Sequence, residues 1–209
     1  MTNIVYATTN PGKFAEVQKI FSGHGITIHP ASKYGVNLEV DETGETLEEN
    51  AILKAEAYSL AINRSDVVVI SDDTGLEIDA LGNEPGIKVR RWKGYRMSDE
   101  EIINYTIERL SGVIDQKRTA HFRTIIAVAE LGKKTMTFEG KLYGRILDKP
   151  TNLRVEGLPF QSLFYVTEYS LMLGDLHDMD VSQKLAQKII THRERAVIYA
   201  LPYLATLNH

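Results

Sequence analysis

The stretch Val67-Val68-Val69-Ile70-Ser71-Asp72-Asp73-Thr74-Gly75-Leu76-Glu77-Ile78-Asp79 joins a run of apolar residues to two adjacent carboxylates. Four consecutive β-branched residues indicate a strand that is buried on both faces. If the strand continues, Asp72 and Asp73 point in opposite directions. The alternative is an acidic turn in which Gly75 takes a positive φ. A strand buried on both faces is typical of an α/β fold. Ligands of open α/β sheets bind beyond the carboxyl ends of the strands, so we expect the chemistry of the protein here.

The composition limits the class of protein. The chain has 209 residues, 43% hydrophobic and 25% charged, which suits one compact domain over residues 1–209 with two lobes. It has no cysteine, so disulfides and thiolate metal sites are excluded. It shows neither a secretory leader nor a membrane-length apolar span, so we expect a cytoplasmic protein with no membrane partner. A net charge of −4 argues against a nucleic-acid polymer as partner and remains compatible with a small anion neutralised by metal.

The N-terminal segment has the order strand, polar loop, helix. The apolar residues around Val5 form the strand, the loop Thr9-Asn10-Pro11-Gly12-Lys13 follows, and apolar residues recur at helical spacing from Phe14. A helix that begins there directs backbone N–H groups and the positive end of its dipole at the loop, and Lys13 adds a full charge. Phe14 stands where a Walker loop has its metal-binding Ser or Thr. The loop is therefore interpreted as an anion site of another kind, with an ordinary turn as the alternative.

Three sequences of the capping-box type mark the starts of helices. They are Thr46-Leu47-Glu48-Glu49, Ser98-Asp99-Glu100-Glu101 and Thr191-His192-Arg193-Glu194. The first helix places Asn50 and Lys54 one turn apart, where they face either a common ligand or solvent. In the last helix, His192 and Arg193 occupy the first turn, where cations oppose the dipole. We therefore expect an anion in front of that helix.

Four blocks, in the same order as in known relatives, resemble the Ham1/ITPase family of noncanonical purine nucleoside triphosphate pyrophosphatases. They are Ala7-Thr8-Thr9-Asn10-Pro11-Gly12-Lys13, Glu42-Thr43-Gly44 with Glu49-Asn50-Ala51-Ile52-Leu53-Lys54-Ala55, Ser71-Asp72-Asp73-Thr74-Gly75-Leu76 with Ala80-Leu81-Gly82 and Pro85-Gly86, and Thr191-His192-Arg193. The resemblance spans nearly the whole chain.

The resemblance implies both a fold and an activity. The fold is α/β, an elongated mixed β-sheet with flanking helices that form two lobes around a cleft, and the protein is expected to be a homodimer. The activity is Mg²⁺-dependent hydrolysis of a small-molecule nucleoside triphosphate between its α- and β-phosphates, which gives a monophosphate and pyrophosphate. The bacterial members are XTP/dITP diphosphatases, so the implied role is house-cleaning of ITP, dITP or XTP.

The resemblance also implies roles for individual residues. Asp73 matches the general base, and the Mg²⁺ ligands match Asp73 with either Glu42 or its neighbour Asp41. Carboxylates suit that role because Mg²⁺ prefers oxygen ligands. The positions that match substrate contacts are Thr8, Thr9, Asn10, Pro11, Gly12, Lys13, Lys54, Thr74, Leu158, Pro159, Phe160, Gln161, Gln187, His192 and Arg193.

One segment departs from the family pattern. The family carries Gly-Phe-Gly-Tyr/Trp-Asp-Pro-Ile/Val-Phe where this chain has Gly157-Leu158-Pro159-Phe160-Gln161-Ser162-Leu163-Phe164. Leu158 replaces an aromatic residue that stacks on the base, Pro159 replaces a glycine, and Gln161 replaces a carboxylate. Gln187 stands where the family has a lysine. The resemblance therefore implies retained hydrolysis with a shifted nucleotide preference.

Two other functions remain compatible with the sequence. One is a nucleotide-binding or sensing protein that keeps the fold without catalysis, and the other is a Maf-like pyrophosphatase with a different base preference. The presence of Asp72 and Asp73 together with Lys13 and Arg193 favours an enzyme, because a protein that only binds has no need of a base.

Overall fold

The computed structural model describes residues 3–207, apart from the side chains of residues 177, 178, 181 and 185. In chain order, its helices and strands are β1 (Asn3–Tyr6), α1 (Pro11–Gly23), β2 (Ile28–Pro30), α2 (Leu47–Ile62), β3 (Val67–Ile78), β4 (Glu84–Gly86), α3 (Asp99–Arg109), β5 (Thr119–Glu130), β6 (Met136–Ile146), β7 (Phe164–Val166), β8 (Leu171–Met172), α4 (Leu173–Asp178), α5 (Val181–Ala186) and α6 (His192–Thr206). Short 3-10 turns join several of these elements, among them Pro159–Ser162.

The strands form one mixed sheet. Its order is β2-β1-β3-β5-β6-β7-β8, with β4 paired to β3. Strand β1 is parallel to both β2 and β3, whereas the pairs β3–β4, β6–β7 and β7–β8 are antiparallel. The predicted mixed α/β sheet with flanking helices is therefore confirmed.

Strand β3 is longer than its apolar run suggests. It pairs with β1 in the register Ile4↔Val68 and Tyr6↔Ile70, and it continues through Asp72, Asp73 and Gly75 to Ile78. The alternative of an acidic turn is therefore wrong, and the aspartates lie within the strand instead of beyond its end. Alternation along the strand directs the two carboxylates to opposite faces of the sheet.

The described chain divides into two compact units. The first comprises residues 3–74, 124–141 and 191–207, and the second comprises Gly75–Arg123 and Leu142–Ile190. Strands β3, β5 and β6 contribute residues to both units. Each unit has its own apolar core. In the first unit a core forms around Tyr6, Phe21 and Ile70, and in the second around Ile102 and Phe164.

The helix starts follow the sequence signals with one exception. The capping boxes of Ser98 with Glu101 and of Thr191 with Glu194 are both formed. Thr46 caps α2 by accepting from the Glu49 N–H, but the Glu49 carboxylate accepts from the Glu45 N–H instead of closing the box. Within residues 3–207, no helix has the length and apolar character that a bilayer span requires.

Candidate active site

Asp72 lies at the centre of a buried charged cluster in the first unit. Its Oδ1 accepts a short hydrogen bond from the Tyr6 hydroxyl. Its Oδ2 is 3.3 Å from both Lys13 Nζ and Arg193 Nε, and Thr74 Oγ1 donates to it at 3.2 Å. Burial alone would raise the pKa of Asp72, but Lys13 and Arg193 outweigh it and hold that pKa well below its usual range. Asp72 is therefore a permanent anion that organises the cations around it.

Arg193 is held by anions from two elements. Its Nη1 donates to Glu16 on α1 at 2.6 Å, in addition to the contact of its Nε with Asp72. Its backbone lies at the start of α6, close to Gly140 of β6, where an added Cβ would be 2.0 Å from the carbonyl oxygen of His192. Glycine at position 140 therefore permits this close approach. The anions in front of the helix are, in this structure, the protein's own carboxylates.

His192 differs from its neighbour because it is neutral. Its Nδ1 is 2.6 Å from Thr124 Oγ1, which is 2.8 Å from Thr74 Oγ1. Burial, together with the charge of Arg193, lowers the pKa of His192 to about 3. The expectation of two cations in the first turn of α6 is therefore wrong for His192, since burial removes its charge.

Asp73 lies on the opposite face of β3 in a different environment. Its Oδ2 accepts from Asn50 Nδ2 at 3.3 Å, and its Oδ1 is 3.4 Å from Lys54 Nζ. Burial raises the pKa of Asp73 above its usual value, and this effect exceeds the opposing effect of Lys54. Two adjacent carboxylates whose pKa values are pushed apart are a common arrangement for division into structural and acid–base roles. Asp73 is the one with the environment of a base.

The loop before α2 brings a second carboxylate to Lys54. Glu42 and Asp41 are both exposed, but Lys54 Nζ is 2.7 Å from Glu42 Oε1. Asn50 fixes the loop, because its Oδ1 accepts from the Gly44 N–H at 2.8 Å. An added Cβ at Gly44 would be 2.7 Å from that same oxygen, so the loop requires glycine there. Of the two acidic candidates, Glu42 is the one that shares a partner with Asp73.

The loop from Thr8 to Lys13 leads into α1 as the sequence predicts, but one of its own residues, Asn10, caps the helix. Asn10 Oδ1 accepts from the Gly12 N–H at 2.9 Å and from the Lys13 N–H at 3.2 Å. The expectation that these N–H groups are free to bind an anion is therefore wrong for this conformation, because Asn10 is itself a good N-cap. Residues Thr9, Asn10, Pro11 and Gly12 are exposed.

The remaining candidate residues belong to the second unit. Phe160 is 4% exposed, and its ring packs edge-on against Phe122 at 6.0 Å, so it is a core residue without an open face for stacking. Gln161 is 8% exposed, and its Oε1 is a buried atom without a partner in the described part of the chain. Leu158 and Pro159 line a cavity of about 310 Å³ beside the start of α3. Gln187 is exposed just after α5.

The sequence model of the Ham1 family matches residues 4–202. The chain belongs to the Ham1 family. A dITP/XTP pyrophosphatase of Bacillus subtilis is 35% identical over 196 residues, 90% of this chain and 96% of that protein. A second, from Shouchella clausii, is 36% identical and covers 94% of this chain and 93% of that protein.

Solved structures of the Ham1 family agree with this assignment. The Ham1 protein of Staphylococcus aureus has a TM-score of 0.77 and 32% identity, with 98% of this chain and 99% of that chain covered. A Ham1 protein of Coxiella burnetii has a TM-score of 0.77 and 28% identity, with 99% and 100% covered.

No sequence prediction gave a role to Tyr6, Glu16 or Thr124 of this site, and the prediction for Asn50 left open whether it faces a ligand or solvent. Asn50 carried a signal, since it lies one turn before Lys54. A tyrosine within a buried strand also signals a need for a hydrogen-bond partner. Glu16 and Thr124 gave no comparable signal, because their partners are remote in sequence.

Proposed function

We propose that this Ham1-family protein hydrolyses a noncanonical nucleoside triphosphate to the monophosphate and pyrophosphate. The observation that carries the proposal is the contrast between the adjacent aspartates. Asp72 is locked as an anion among Lys13, Arg193 and Tyr6, while the pKa of Asp73 is raised by burial. The dITP/XTP pyrophosphatases that are about a third identical to this chain support the same reaction.

Asp73 acts as the base in this proposal. It accepts a proton of the attacking water, whose oxygen forms a bond to the α-phosphorus while the bond from that phosphorus to the bridging oxygen breaks and pyrophosphate departs. A general base is most effective when its pKa lies close to the working pH, and burial moves the pKa of Asp73 in that direction. Asn50 holds the carboxylate through Oδ2, so that its orientation is fixed before substrate binds.

Lys13 and Arg193 bind the phosphates. The Lys13 side chain is 25% exposed and an ammonium has three donors, so contact with Asp72 leaves it able to bind a phosphate oxygen. The guanidinium of Arg193 has five N–H donors in a planar fork that suits phosphate. Asp72 and Glu16 position that fork, and Thr74 accepts from its Nη2 at 3.4 Å.

A divalent cation fits the residues present. Within the described residues there is no group of three or more acidic or histidine side chains arranged for a metal. Mg²⁺ does not require one, because in phosphoryl-transfer sites it takes one or two carboxylates and completes its shell with substrate phosphates and water. Glu42 and Asp73 would hold it. When bound, it would neutralise charge on the phosphates.

The nucleotide preference is proposed to differ from that of the relatives. Leu158 offers no aromatic face, and Phe160 cannot replace one because its ring is in the core. Stacking on an aromatic side chain is worth about 1–3 kcal/mol per base. Gln161 adds a donor where a carboxylate only accepts. A pocket without contacts matched to the 6-oxo group of a purine cannot strongly reject an amino analogue.

The test is a pyrophosphate-release assay with Mg²⁺ across ITP, XTP, dITP, dUTP, ATP and GTP. We expect hydrolysis of at least one nucleotide and a preference for ITP or XTP over ATP that is below about a hundredfold in kcat/KM. A higher preference would show that the substitutions at 158–161 leave base recognition intact. Nucleotide binding without release of pyrophosphate would favour the sensing function, and turnover only of pyrimidine or modified nucleotides would favour the Maf-like one.

Homodimerisation and a cytoplasmic location remain predictions. Sedimentation equilibrium of the purified chain tests the first, and cell fractionation tests the second.

A further inference from the structure

The ammonium of Lys54 lies between the two carboxylates that the proposed function assigns to the metal. Lys54 Nζ is 2.7 Å from Glu42 Oε1 and 3.4 Å from Asp73 Oδ1. Its side chain is 13% exposed, so it is largely withdrawn from solvent. Both contacts are charge-assisted, and the shorter one has the length of a strong hydrogen bond.

The position of Lys54 is fixed by the backbone around it. Helix α2 is held against β3 by Ser71, whose hydroxyl donates to the Ala51 carbonyl oxygen at 2.5 Å. Ser71 immediately precedes Asp72 and Asp73, so the same contact sets the distance between α2 and the aspartates. One turn earlier on α2, Asn50 bonds both Asp73 and the Gly44 N–H of the loop that carries Glu42. Lys54 therefore meets a positioned Asp73 and a loop with a fixed backbone that carries Glu42, the side chain of which is 45% exposed.

The charge of Lys54 is secured by the same neighbours. Burial alone would lower its pKa, but Asp73, Asp72 and Glu42 outweigh burial and raise the pKa above its ordinary value. At neutral pH the ammonium is therefore fully charged, and it neutralises part of the repulsion between Glu42 and Asp73.

We propose that Lys54 is an internal counter-cation that holds the Glu42–Asp73 pair in the free protein and must leave it when a divalent cation and a triphosphate bind. The proposal rests on the proposed function, which names Glu42 and Asp73 as the metal ligands. Mg²⁺ requires oxygen ligands at about 2.0–2.1 Å in octahedral geometry. The Lys54 ammonium contacts Glu42 Oε1 and Asp73 Oδ1, and its charge repels a divalent cation that approaches either carboxylate. The metal and Lys54 therefore compete for the same two groups.

This competition links the binding of the metal to the binding of the nucleotide. A free protein that already neutralises its carboxylates gains little from binding a divalent cation alone. When a triphosphate is present, its oxygens offer Lys54 new partners, and the carboxylates become available to the cation. Metal and nucleotide therefore bind cooperatively, and each increases the affinity for the other by the same factor.

The experiment measures Mn²⁺ binding in the absence of nucleotide, by electron paramagnetic resonance, for the wild type and for Lys54→Met. We expect weak binding to the wild type and a dissociation constant about tenfold or more lower for Lys54→Met, since a neighbouring cation changes the proton affinity of a carboxylate by a similar factor. Lys13→Met is the matched control. It removes the same charge from the same unit, but Lys13 contacts Asp72 and neither of the proposed ligands, so its effect should be clearly smaller.

Three results would overturn the proposal. Unchanged or weaker binding by Lys54→Met would show that Lys54 does not compete with the metal, and release of pyrophosphate with Mg²⁺ would still support the proposed function. Equal gains in Mn²⁺ affinity for Lys54→Met and Lys13→Met would show that the effect comes from the net charge and not from the position of Lys54. No Mn²⁺ binding to any of the proteins would overturn both this proposal and the assignment of Glu42 and Asp73 as ligands.

A second measurement uses the wild type, in case Lys54→Met fails to fold. The side-chain resonances of ¹³C- and ¹⁵N-labelled lysines are followed during a Mg²⁺ titration, and the Lys54 resonance is identified by its absence in Lys54→Arg. We expect this resonance to shift in proportion to metal saturation. A Lys54 resonance that stays in place at saturation would show that the ammonium keeps its carboxylates.

Discussion

The charged cluster around Asp72 and the segment from Leu158 to Gln161 differ in whether their buried polar groups have hydrogen-bond partners. Asp72 contacts Tyr6, Lys13, Arg193 and Thr74, so its charge is compensated several times over. Gln161, by contrast, is buried with an Oε1 that has no partner among the described residues. A buried polar atom without a partner costs free energy that a suitable ligand donor would recover. The first region is thus organised before substrate arrives, whereas the second keeps an unused acceptor.

The largest expected effect separates the two adjacent aspartates of β3. Asp73→Asn should lower kcat by roughly two to four orders of magnitude, the usual contribution of a positioned base, because an amide cannot take the proton of water. The fold should persist, since the amide keeps the size of the carboxylate. Steady-state kinetics with far-UV circular dichroism measure both. A kcat within a factor of about three of the wild type would exclude Asp73 as the base.

The next effect is on stability. Asp72→Asn leaves Lys13 and Arg193 without their shared anion, and breaking a buried ion pair on one side costs about 3–5 kcal/mol. Urea unfolding of Asp72→Asn and of the wild type measures this loss of unfolding free energy. The control is Asp66→Asn, which removes an equivalent charge from a pair with Arg64 in which both side chains are more than half exposed. Similar losses for the two variants would mean that Asp72 is not the organising charge of the cluster.

A matched pair of buried amides extends the comparison: Asn50 lies beside Asp73, and Gln161 lies in the segment from Leu158 to Gln161. Asn50 is buried with both ends of its amide bonded, so Asn50→Leu should lower the free energy of unfolding by about 1–3 kcal/mol. Gln161→Leu removes an acceptor that has no partner, so it should be close to neutral or stabilising. Thermal or urea unfolding of both variants and the wild type measures these changes in the free energy of unfolding. A loss of unfolding free energy for Gln161→Leu as large as that for Asn50→Leu would contradict the distinction between a bonded and an unbonded buried amide.

The last effect concerns the pH dependence of stability. His192 has a pKa of about 3 in the folded protein, below the value of about 6.5 expected on unfolding. Between these values the unfolded chain binds a proton that the folded chain does not, so stability falls as the pH falls from about 6.5 towards 3. One proton corresponds to about 1.4 kcal/mol per pH unit.

His192→Gln should flatten that dependence between pH 6 and 4.5, whatever its effect on absolute stability. Unfolding free energies at several pH values in that range measure the slope, with His24→Gln as the control at an exposed histidine. An unchanged slope in His192→Gln would show that His192 does not remain neutral in the folded state.

The sequence by itself determined the class of fold and most of the residues of the first region. The run from Val67 to Ile70 predicted a buried strand because β-branched residues favour strands and an apolar run without polar alternation is typical of a sheet covered on both faces. The capping boxes at Ser98 and Thr191 fixed two helix starts because their hydrogen bonds are local. The resemblance to the Ham1 family predicted that Asp73, Lys13 and Arg193 act together, and the structure has all three in the same unit.

Only the tertiary structure decided which partner each charge has. Tyr6, Glu16 and Thr124 lie far from Asp72, Arg193 and His192 in sequence, and no local pattern encodes these pairs. The same holds for pKa values. His192 and Arg193 are both basic in sequence, yet only Arg193 is charged. Glu16 and Asp72 outweigh the effect of burial on the pKa of Arg193, whereas burial and the charge of Arg193 outweigh the same two carboxylates at His192. Burial and the neighbours supplied by remote segments, which local sequence does not specify, set the charge state of the site.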